Sequence, residues 1–212
     1  MKRTWWLAIC AVLTGCSAPE EVAKNAPPKK VEVKSETAPA VFTVNLDTTK
    51  GLVVVEVHRD WAPNGADHFY NLVKTGYFDG NRIYRVTQRY AQFGVNGDPK
   101  TTGLWSMARI PDDPPKHSNV KGTLTYAQEG AGTRTTQMFF NLQDNKALDK
   151  DKFAPIGTVT SGMDIVDRFY SGYGDWPPRG NGPDPAKVQA EGNSYLEARF
   201  PRLDAIRKAT IQ

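Results

Sequence analysis

Residues 41–58 read VFTVNLDTTKGLVVVEVH, and they set the class of fold. In residues 41–48 apolar and polar side chains alternate, which is the pattern of a strand with one buried face. Residues 48–51 (TTKG) follow as a turn, and residues 52–57 (LVVVEV) are rich in the β-branched side chains that favour a strand. The stretch therefore predicts a β-hairpin.

Beyond the hairpin, the chain combines one clear helix with many short strands. A helix is predicted from Ala62-Pro63 to Gly76, because proline favours the first helical turn and glycine the C-terminal end. Short apolar segments predict strands at residues 83–86, 90–95, 122–127, 138–142, 153–159 and 203–211, and a second helix at 163–170. This pattern predicts a mainly β fold, a closed antiparallel barrel with helical caps.

The composition excludes several kinds of site. The two cysteines, Cys10 and Cys16, lie in the first sixteen residues, so the globular part has no disulfide, thiolate metal site or cysteine nucleophile. With three histidines in the chain, we expect no metal site and no cofactor. Asp112 and Asp113 lie in a proline-rich segment and are expected to be solvated. The net charge of +4 is too small to predict nucleic-acid binding.

Residues 1–16 read MKRTWWLAICAVLTGC, which is typical of a secretory signal. Two basic residues precede an apolar run that is too short to span a bilayer but fits the core of a signal peptide. The ending LTGC resembles the lipobox of bacterial lipoproteins, in which the cysteine is acylated. We expect a lipoprotein signal peptide that ends at Cys16, with the lipid on Cys16. The alternative is a plain secretory signal that happens to contain this cysteine.

Residues 17–40 contain no aromatic residue and no Leu or Ile, so they cannot bury enough apolar surface to offset the entropy of ordering. They predict a disordered tether between the lipid anchor and a domain that spans residues 41–212. The loop-rich residues from about 171 onward are expected to form a C-terminal extension of this domain. In enterobacteria-like lipoprotein sorting, a residue other than Asp directly after the acylated cysteine favours the outer membrane over the inner one, and here that residue is Ser17. The expected location is the bacterial cell envelope, lipid-anchored and facing the periplasm.

Seven further motifs succeed one another along the domain: HRDWAPNGADHFYNLVKTGYFDG (58–80), IYRV (83–86), QFGVNGDP (92–99), GTLTYA (122–127), TRTTQMFFN (133–141), FAPIGTV (153–159) and GMDIVD (162–167). In their order and spacing they resemble the cyclophilins, a family of peptidyl-prolyl cis-trans isomerases, over roughly Val41 to Tyr170. The resemblance implies a closed antiparallel eight-stranded β-barrel capped by two helices, and proline-containing polypeptides as substrates. We also expect a monomer.

Isomerisation of an X–Pro bond calls for a hydrogen-bond donor at the prolyl nitrogen. Amide resonance opposes rotation with a barrier of about 18–20 kcal/mol. Twisting breaks the resonance and leaves a lone pair on nitrogen, so a donor aimed there stabilises the twisted state more than the planar one. Arginine is always charged and offers several donors in a fixed geometry. The resemblance implies that Arg85 is this catalytic donor, and that Gln92 bonds the substrate carbonyl or braces Arg85.

The resemblance also implies an apolar slot for the proline ring and a strand edge for the substrate backbone. The implied substrate-binding residues are Tyr90, Ala127, Gln128, Gln137, Phe139, Leu148 and Phe153. One spacing departs from the family: seven steps separate Arg85 from Gln92, where eight are common. Counted forward from Arg85, Tyr90 takes the position of the aromatic residue that lines the family's pocket. Counted back from Gln92, Arg89 takes that position.

Two functions follow from these motifs. The first is a peptidyl-prolyl isomerase that assists the folding of exported or envelope proteins. The second is a catalytically weak binding or chaperone module for proline-containing segments. The missing residue after Arg85 favours the second, whereas the retention of Arg85, Gln92, Gln137 and Phe139 favours the first.

Overall fold

The hairpin predicted from residues 41–58 forms the first two strands of the structure, a computed structural model that describes residues 35–212. The two strands pair antiparallel over their whole length. Phe42, Val44 and Leu46 in the first strand are buried and most of its polar side chains are partly exposed, as the alternation predicts, whereas Val41 at its start is exposed. The mainly β class is thus confirmed.

Nine strands and six helices lie within residues 35–212. The strands are β1 (Val41–Thr48), β2 (Gly51–His58), β3 (Asn81–Arg82), β4 (Arg85–Val86), β5 (Tyr90–Phe93), β6 (Thr123–Tyr126), β7 (Met138–Asn141), β8 (Pro155–Ser161) and β9 (Ala205–Ile211). The helices are α1 (Pro63–Lys74), α2 (Pro99–Ser106), α3 (Ala147–Lys150), α4 (Met163–Val166), α5 (Pro185–Glu191) and α6 (Asn193–Arg199).

All nine strands belong to one sheet, and its two edge strands, β3 and β4, are neighbours in the sequence. The strand order is β3-β9-β1-β2-β8-β6-β7-β5-β4. Only Ile83 and Tyr84 separate the edge strands β3 and β4, and their backbone N–H groups donate to Asp204 and Gln92 respectively. The first part of residues 81–86 therefore pairs with β9 and the last part with β5. Because these two strands lie near opposite ends of the strand order, the sheet curls on itself.

The numbers of strands and helices differ from the eight strands and two helices expected. The strand expected at 83–86 begins at Asn81 and changes partner at its middle, so it divides into β3 and β4. The additional helices are short, and α2, α3 and α5 lie in proline-, glycine- or charge-rich segments without clear helical periodicity. The one local signal for α2 and α5 is an Asp-Pro pair. Asp98 and Asp184 cap these helices by accepting hydrogen bonds from backbone N–H groups of the first turn.

The C-terminal residues are part of the sheet, which corrects the expected extension. Strand β9 lies between β1 and β3. Residues 171–204 are therefore an insertion before the last strand, and not a C-terminal extension. The insertion packs on its own small core, which consists of Tyr84, Val95, Val188, Leu196 and Leu203. Through Tyr84, the residue directly before Arg85, this second core joins α5 and α6 to the segment that carries Arg85.

The ordered contacts begin before the expected boundary at Val41. Ala38 is buried, and its N–H donates to Asp67 on α1 at 2.9 Å. The N–H of Glu36 donates to the side chain of Asn71, which donates back to the carbonyl of Glu36. Residues 36–38 thus belong to the domain and not to a disordered tether. The predicted signal peptide, Cys16 and most of the tether lie outside the described residues.

No helix within residues 35–212 has both the length and the apolar character needed to cross a bilayer.

Within the domain, Asp113 departs from the expectation that it is solvated. Its side chain is buried, and its carboxylate accepts hydrogen bonds from the N–H groups of Asn64 and Gly65 at the start of α1. It also pairs with the buried Arg134 at 3.0 Å. Asp113 is therefore a structural residue that caps a helix 48 positions away in sequence.

Candidate active site

One cleft, with a volume of about 720 Å³, brings together every residue that the sequence implied for catalysis or substrate binding. These residues are Arg85, Tyr90, Gln92, Ala127, Gln128, Gln137, Phe139, Leu148 and Phe153. They come from β4, β5, β7 and the residue before it, α3, and the segments after β6 and α3. Their assembly follows from the sheet register, in which β5 pairs with β4 on one side and β7 on the other.

The short spacing between Arg85 and Gln92 is accommodated by a tight turn. The N–H of Thr87 donates to the carbonyl of Tyr90 at 3.0 Å, and Arg85 lies directly opposite Gln92 across β4 and β5. Tyr90 points into the cleft, where its hydroxyl accepts a hydrogen bond from Arg85 Nη2 at 2.8 Å. The side chain of Arg89 instead donates to Asn145 at 3.3 Å. The structure thus places Tyr90, and not Arg89, in the cleft.

Gln92 acts as a brace, because its amide is occupied by other side chains. Its Oε1 accepts from Arg85 Nη1 at 2.9 Å. Its Nε2 donates to the hydroxyl of Tyr84 at 2.7 Å and to Gln137 Oε1 at 3.1 Å. Burial raises the pKa of Tyr84, so the phenol stays protonated and donates to Gln137. This network favours the bracing role of Gln92 over a bond to the substrate carbonyl.

Aromatic rings form the apolar side of the cleft. The ring centroid of Phe139 lies 5.6 Å from that of Tyr90 and 6.0 Å from that of Phe153. Leu148, on α3, lines the same cleft. These side chains offer an apolar slot next to a guanidinium, which is the combination that a twisted prolyl amide requires.

The strand edge proposed for the substrate backbone is partly occupied. The N–H of Ala127 donates to the carbonyl of Gln137 at 2.9 Å, so this donor is already used within the sheet. Gln128 donates from Nε2 to the carbonyl of Asp151, whereas its Oε1 is buried without a hydrogen-bond partner in residues 35–212. An added substrate strand would therefore not use the Ala127 N–H.

Two residues in contact with Arg85 were missed by the sequence reasoning. Asp175 accepts from Arg85 Nε at 2.8 Å and from Nη2 at 3.1 Å. The guanidinium carbon of Arg85 lies 3.6 Å from the centroid of the Trp176 ring. Both residues belong to the insertion and lie 90 or more positions from Arg85, so no local spacing could have indicated them. Both residues also lie outside the segment, roughly Val41 to Tyr170, over which the motifs resemble the cyclophilins.

Comparison with known proteins identifies the family. The family model of the cyclophilin type peptidyl-prolyl cis-trans isomerases matches residues 43–182, well over half of the chain. The chain belongs to the cyclophilin family. Its activity is accordingly the cis–trans isomerisation of peptide bonds that precede proline.

The chain is similar to peptidyl-prolyl cis-trans isomerases from several organisms. The peptidyl-prolyl cis-trans isomerase ppi1 of Schizosaccharomyces pombe is 33% identical over 132 residues, which cover 59% of this chain and 83% of that protein. A peptidyl-prolyl cis-trans isomerase of Acinetobacter baylyi is 28% identical over 132 residues, which cover 59% of this chain and 70% of that protein. A crystal structure of a Cryptosporidium parvum cyclophilin type isomerase superposes with a TM-score of 0.60 at 17% identity, covering 81% of this chain and 98% of that one. This last likeness supports the fold alone.

Isomerisation by this cyclophilin is expected to be independent of pH between about pH 6 and about pH 9, because no group must titrate. Arginine remains charged throughout. Burial raises the pKa of Asp175, but hydrogen bonds from Arg85 and from its neighbour's N–H, together with two arginine charges, outweigh burial and lower it overall. The carboxylate's contribution to stability is therefore complete above the usual aspartate pKa, and is lost only as pH falls through the lowered value. A bell-shaped profile of kcat/KM within this window would contradict the expectation.

Proposed function

We propose that this cyclophilin isomerises X–Pro bonds in exported or envelope proteins while it is held at the membrane by a lipid on Cys16. The observation that supports the catalytic part is the guanidinium of Arg85, which is held by three side chains beside an apolar cleft. The anchoring part is supported by the sequence of residues 1–16, with its apolar run and the terminal LTGC.

The catalytic cycle uses the side chains of the cleft and no cofactor. The proline ring of the substrate enters the slot between Phe139, Leu148 and Tyr90. As the preceding carbonyl rotates, the prolyl nitrogen loses resonance and accepts a hydrogen bond from Arg85. Gln92 keeps the guanidinium in place during this rotation. The bond is made in the twisted state and is absent from the planar states, which is the condition for lowering the barrier.

The working location is the bacterial cell envelope. We place the domain on the periplasmic side, anchored to the outer membrane in preference to the inner one. An acyl chain adds about 0.8 kcal/mol of membrane affinity for each buried CH₂ group, so more than one chain on Cys16 gives a stable anchor. We also propose that the domain works as a monomer, because the residues implied for catalysis and substrate binding lie together in one cleft of the chain.

The isomerase activity is tested with the full-length protein and a short Ala-Pro-Phe peptide. Wild-type protein is expected to accelerate the cis-to-trans relaxation, which takes tens to hundreds of seconds without a catalyst. If folded protein binds the peptide without accelerating its relaxation, the chain is a binding or chaperone module and the catalytic proposal fails.

Replacing Cys16 with serine is expected to move the protein from the detergent-rich phase to the aqueous phase in a Triton X-114 partition of expressing bacterial cells. Serine cannot form the thioether that carries the lipid, so the acyl chains that provide membrane affinity are lost. Cys10→Ser is the matched control, because Cys10 lies inside the predicted signal peptide and is expected to leave the partition unchanged. Equal partition of wild type and Cys16→Ser would overturn the lipid anchor.

A further inference from the structure

The guanidinium of Arg85 has a single N–H group left for a substrate. An arginine side chain carries five N–H donors. Four hydrogen bonds engage it: Nε and Nη2 each donate to Asp175, Nη2 also donates to Tyr90, and Nη1 donates to Gln92. The remaining donor, the second N–H of Nη1, has no partner within residues 35–212. Because Asp175 takes two of the four bonds, it largely determines which edge of the guanidinium remains free.

Trp176 covers a face of the same group. Its ring centroid lies 3.6 Å from the guanidinium carbon, the close stacking distance of a cation–π contact. The side chains of Arg85 and Asp175 are only 9% and 17% exposed, so water competes weakly for their hydrogen bonds. The pair therefore interacts more strongly than a surface ion pair.

The insertion holds Asp175 in place from several directions. The carboxylate accepts from the N–H of Trp176 at 2.8 Å, and Arg179 lies 3.2 Å from it. The backbone carbonyl of Asp175 accepts from the N–H of Gly182 at 2.8 Å. A Cβ atom at Gly180 would approach that carbonyl to 2.2 Å, so the close approach of the two backbone segments requires glycine there. Asp175 is thus part of a braced loop and not of a freely moving one.

We propose that Asp175, supported by the stacked ring of Trp176, is a positioning residue for isomerisation: it orients the Arg85 guanidinium so that one Nη1–H is presented to the prolyl nitrogen. The inference rests on the proposed role of Arg85 as the donor. The insertion of residues 171–204 therefore completes the active site of this cyclophilin, rather than only covering the end of the barrel.

The test compares Asp175→Asn with wild type in the full-length protein, with kcat and KM measured separately on the Ala-Pro-Phe peptide. Asparagine has the same shape, but its NH₂ group cannot accept from the guanidinium, so one of the two charge-assisted bonds is lost. We expect kcat to fall about tenfold, which corresponds to about 1.4 kcal/mol. KM should stay within about twofold, because the slot for the proline ring is unchanged. Asp175→Glu keeps the carboxylate but displaces it by one methylene, so its kcat should also fall, though by less than that of Asp175→Asn.

Asp164→Asn is the matched control. Asp164 also pairs with an arginine, Arg168, at 2.7 Å, but this pair is exposed and does not line the cleft. Its removal should leave kcat unchanged. If Asp175→Asn does not fold, as judged by thermal unfolding, Asp175→Glu decides, because its extra methylene displaces the carboxylate: a lowered kcat at constant KM supports the proposal and an unchanged kcat overturns it.

Three further outcomes overturn the proposal. An unchanged kcat in folded Asp175→Asn means that Asp175 does not position the donor. A raised kcat means that the insertion restrains Arg85 and is an inhibitory cover. A raised KM at constant kcat assigns Asp175 to substrate binding alone. The proposed function fails separately, because an inactive wild-type protein would be detected before any variant is compared.

Discussion

Replacing Arg85 with alanine is expected to lower kcat/KM for the Ala-Pro-Phe peptide by about 10²- to 10³-fold, the usual loss when a preorganised hydrogen-bond donor is removed from an active site. The lost bond forms only in the twisted state, so the fall should lie in kcat while KM changes little. The relaxation of the peptide from cis to trans, measured with full-length protein, gives the rate directly.

Two comparisons make the result specific to the donor. Arg85→Lys keeps the charge but has neither the planar fork nor the bond to both Asp175 oxygens, so it should recover only part of the activity. Arg168→Ala removes an exposed arginine that pairs with Asp164 and should leave the rate unchanged. If Arg85→Ala retains full activity, the donor has been assigned to the wrong residue, and Arg179, which also lines the cleft and pairs with Asp175, becomes the candidate.

The parts of this protein that the sequence predicted are those encoded locally. Alternation of apolar and polar residues gave the hairpin of β1 and β2, and the Pro63 and Gly76 signals gave α1. The residues of the cleft were predicted through the resemblance of their short motifs to those of the cyclophilins, and several of these motifs lie on neighbouring strands. Once β5 pairs with β7 in register, Gln92 lies opposite Phe139 without any further information.

The parts that were missed depend on contacts between distant segments. Asp175 is 90 positions from Arg85, and neither its loop nor its flanking residues have a periodicity that indicates a partner. The final strand was foreseen, but its place between β1 and β3 was not, because strand order is a property of the whole sheet. Residues 171–204 therefore looked like a terminal extension, although the chain returns from them into the barrel.

The burial of Asp113 is another feature that the sequence did not predict, because it too depends on contacts between distant segments. A proline-rich segment with two adjacent aspartates has the composition of a solvated loop, and the composition does indicate a loop. It does not indicate that one carboxylate turns inward. Asp112 has a side chain that is 34% exposed, whereas Asp113 is 1% exposed and lies against Arg134. The difference arises from α1, whose first turn lacks a side-chain cap of its own.

Replacing Asp113 with alanine is accordingly expected to lower the free energy of unfolding by about 3–5 kcal/mol, the range for breaking one side of a buried ion pair. The variant leaves the guanidinium of Arg134, only 2% exposed, without its closest carboxylate, and leaves the N–H groups of Asn64 and Gly65 without their acceptor. Urea unfolding followed by far-ultraviolet circular dichroism measures the change.

Asp112→Asn is the control for this stability change, because its carboxylate is 3.5 Å from Arg134 and partly exposed, and a loss below about 1 kcal/mol is expected. Asp113 does not line the cleft, so kcat/KM per folded molecule should remain at the wild-type value in Asp113→Ala even though fewer molecules are folded. Equal stability of the two variants would mean that Arg134 finds another partner when Asp113 is removed. A loss of kcat/KM in the folded fraction would instead link the start of α1 to the cleft through Arg134, whose neighbours Thr133 and Thr135 line it.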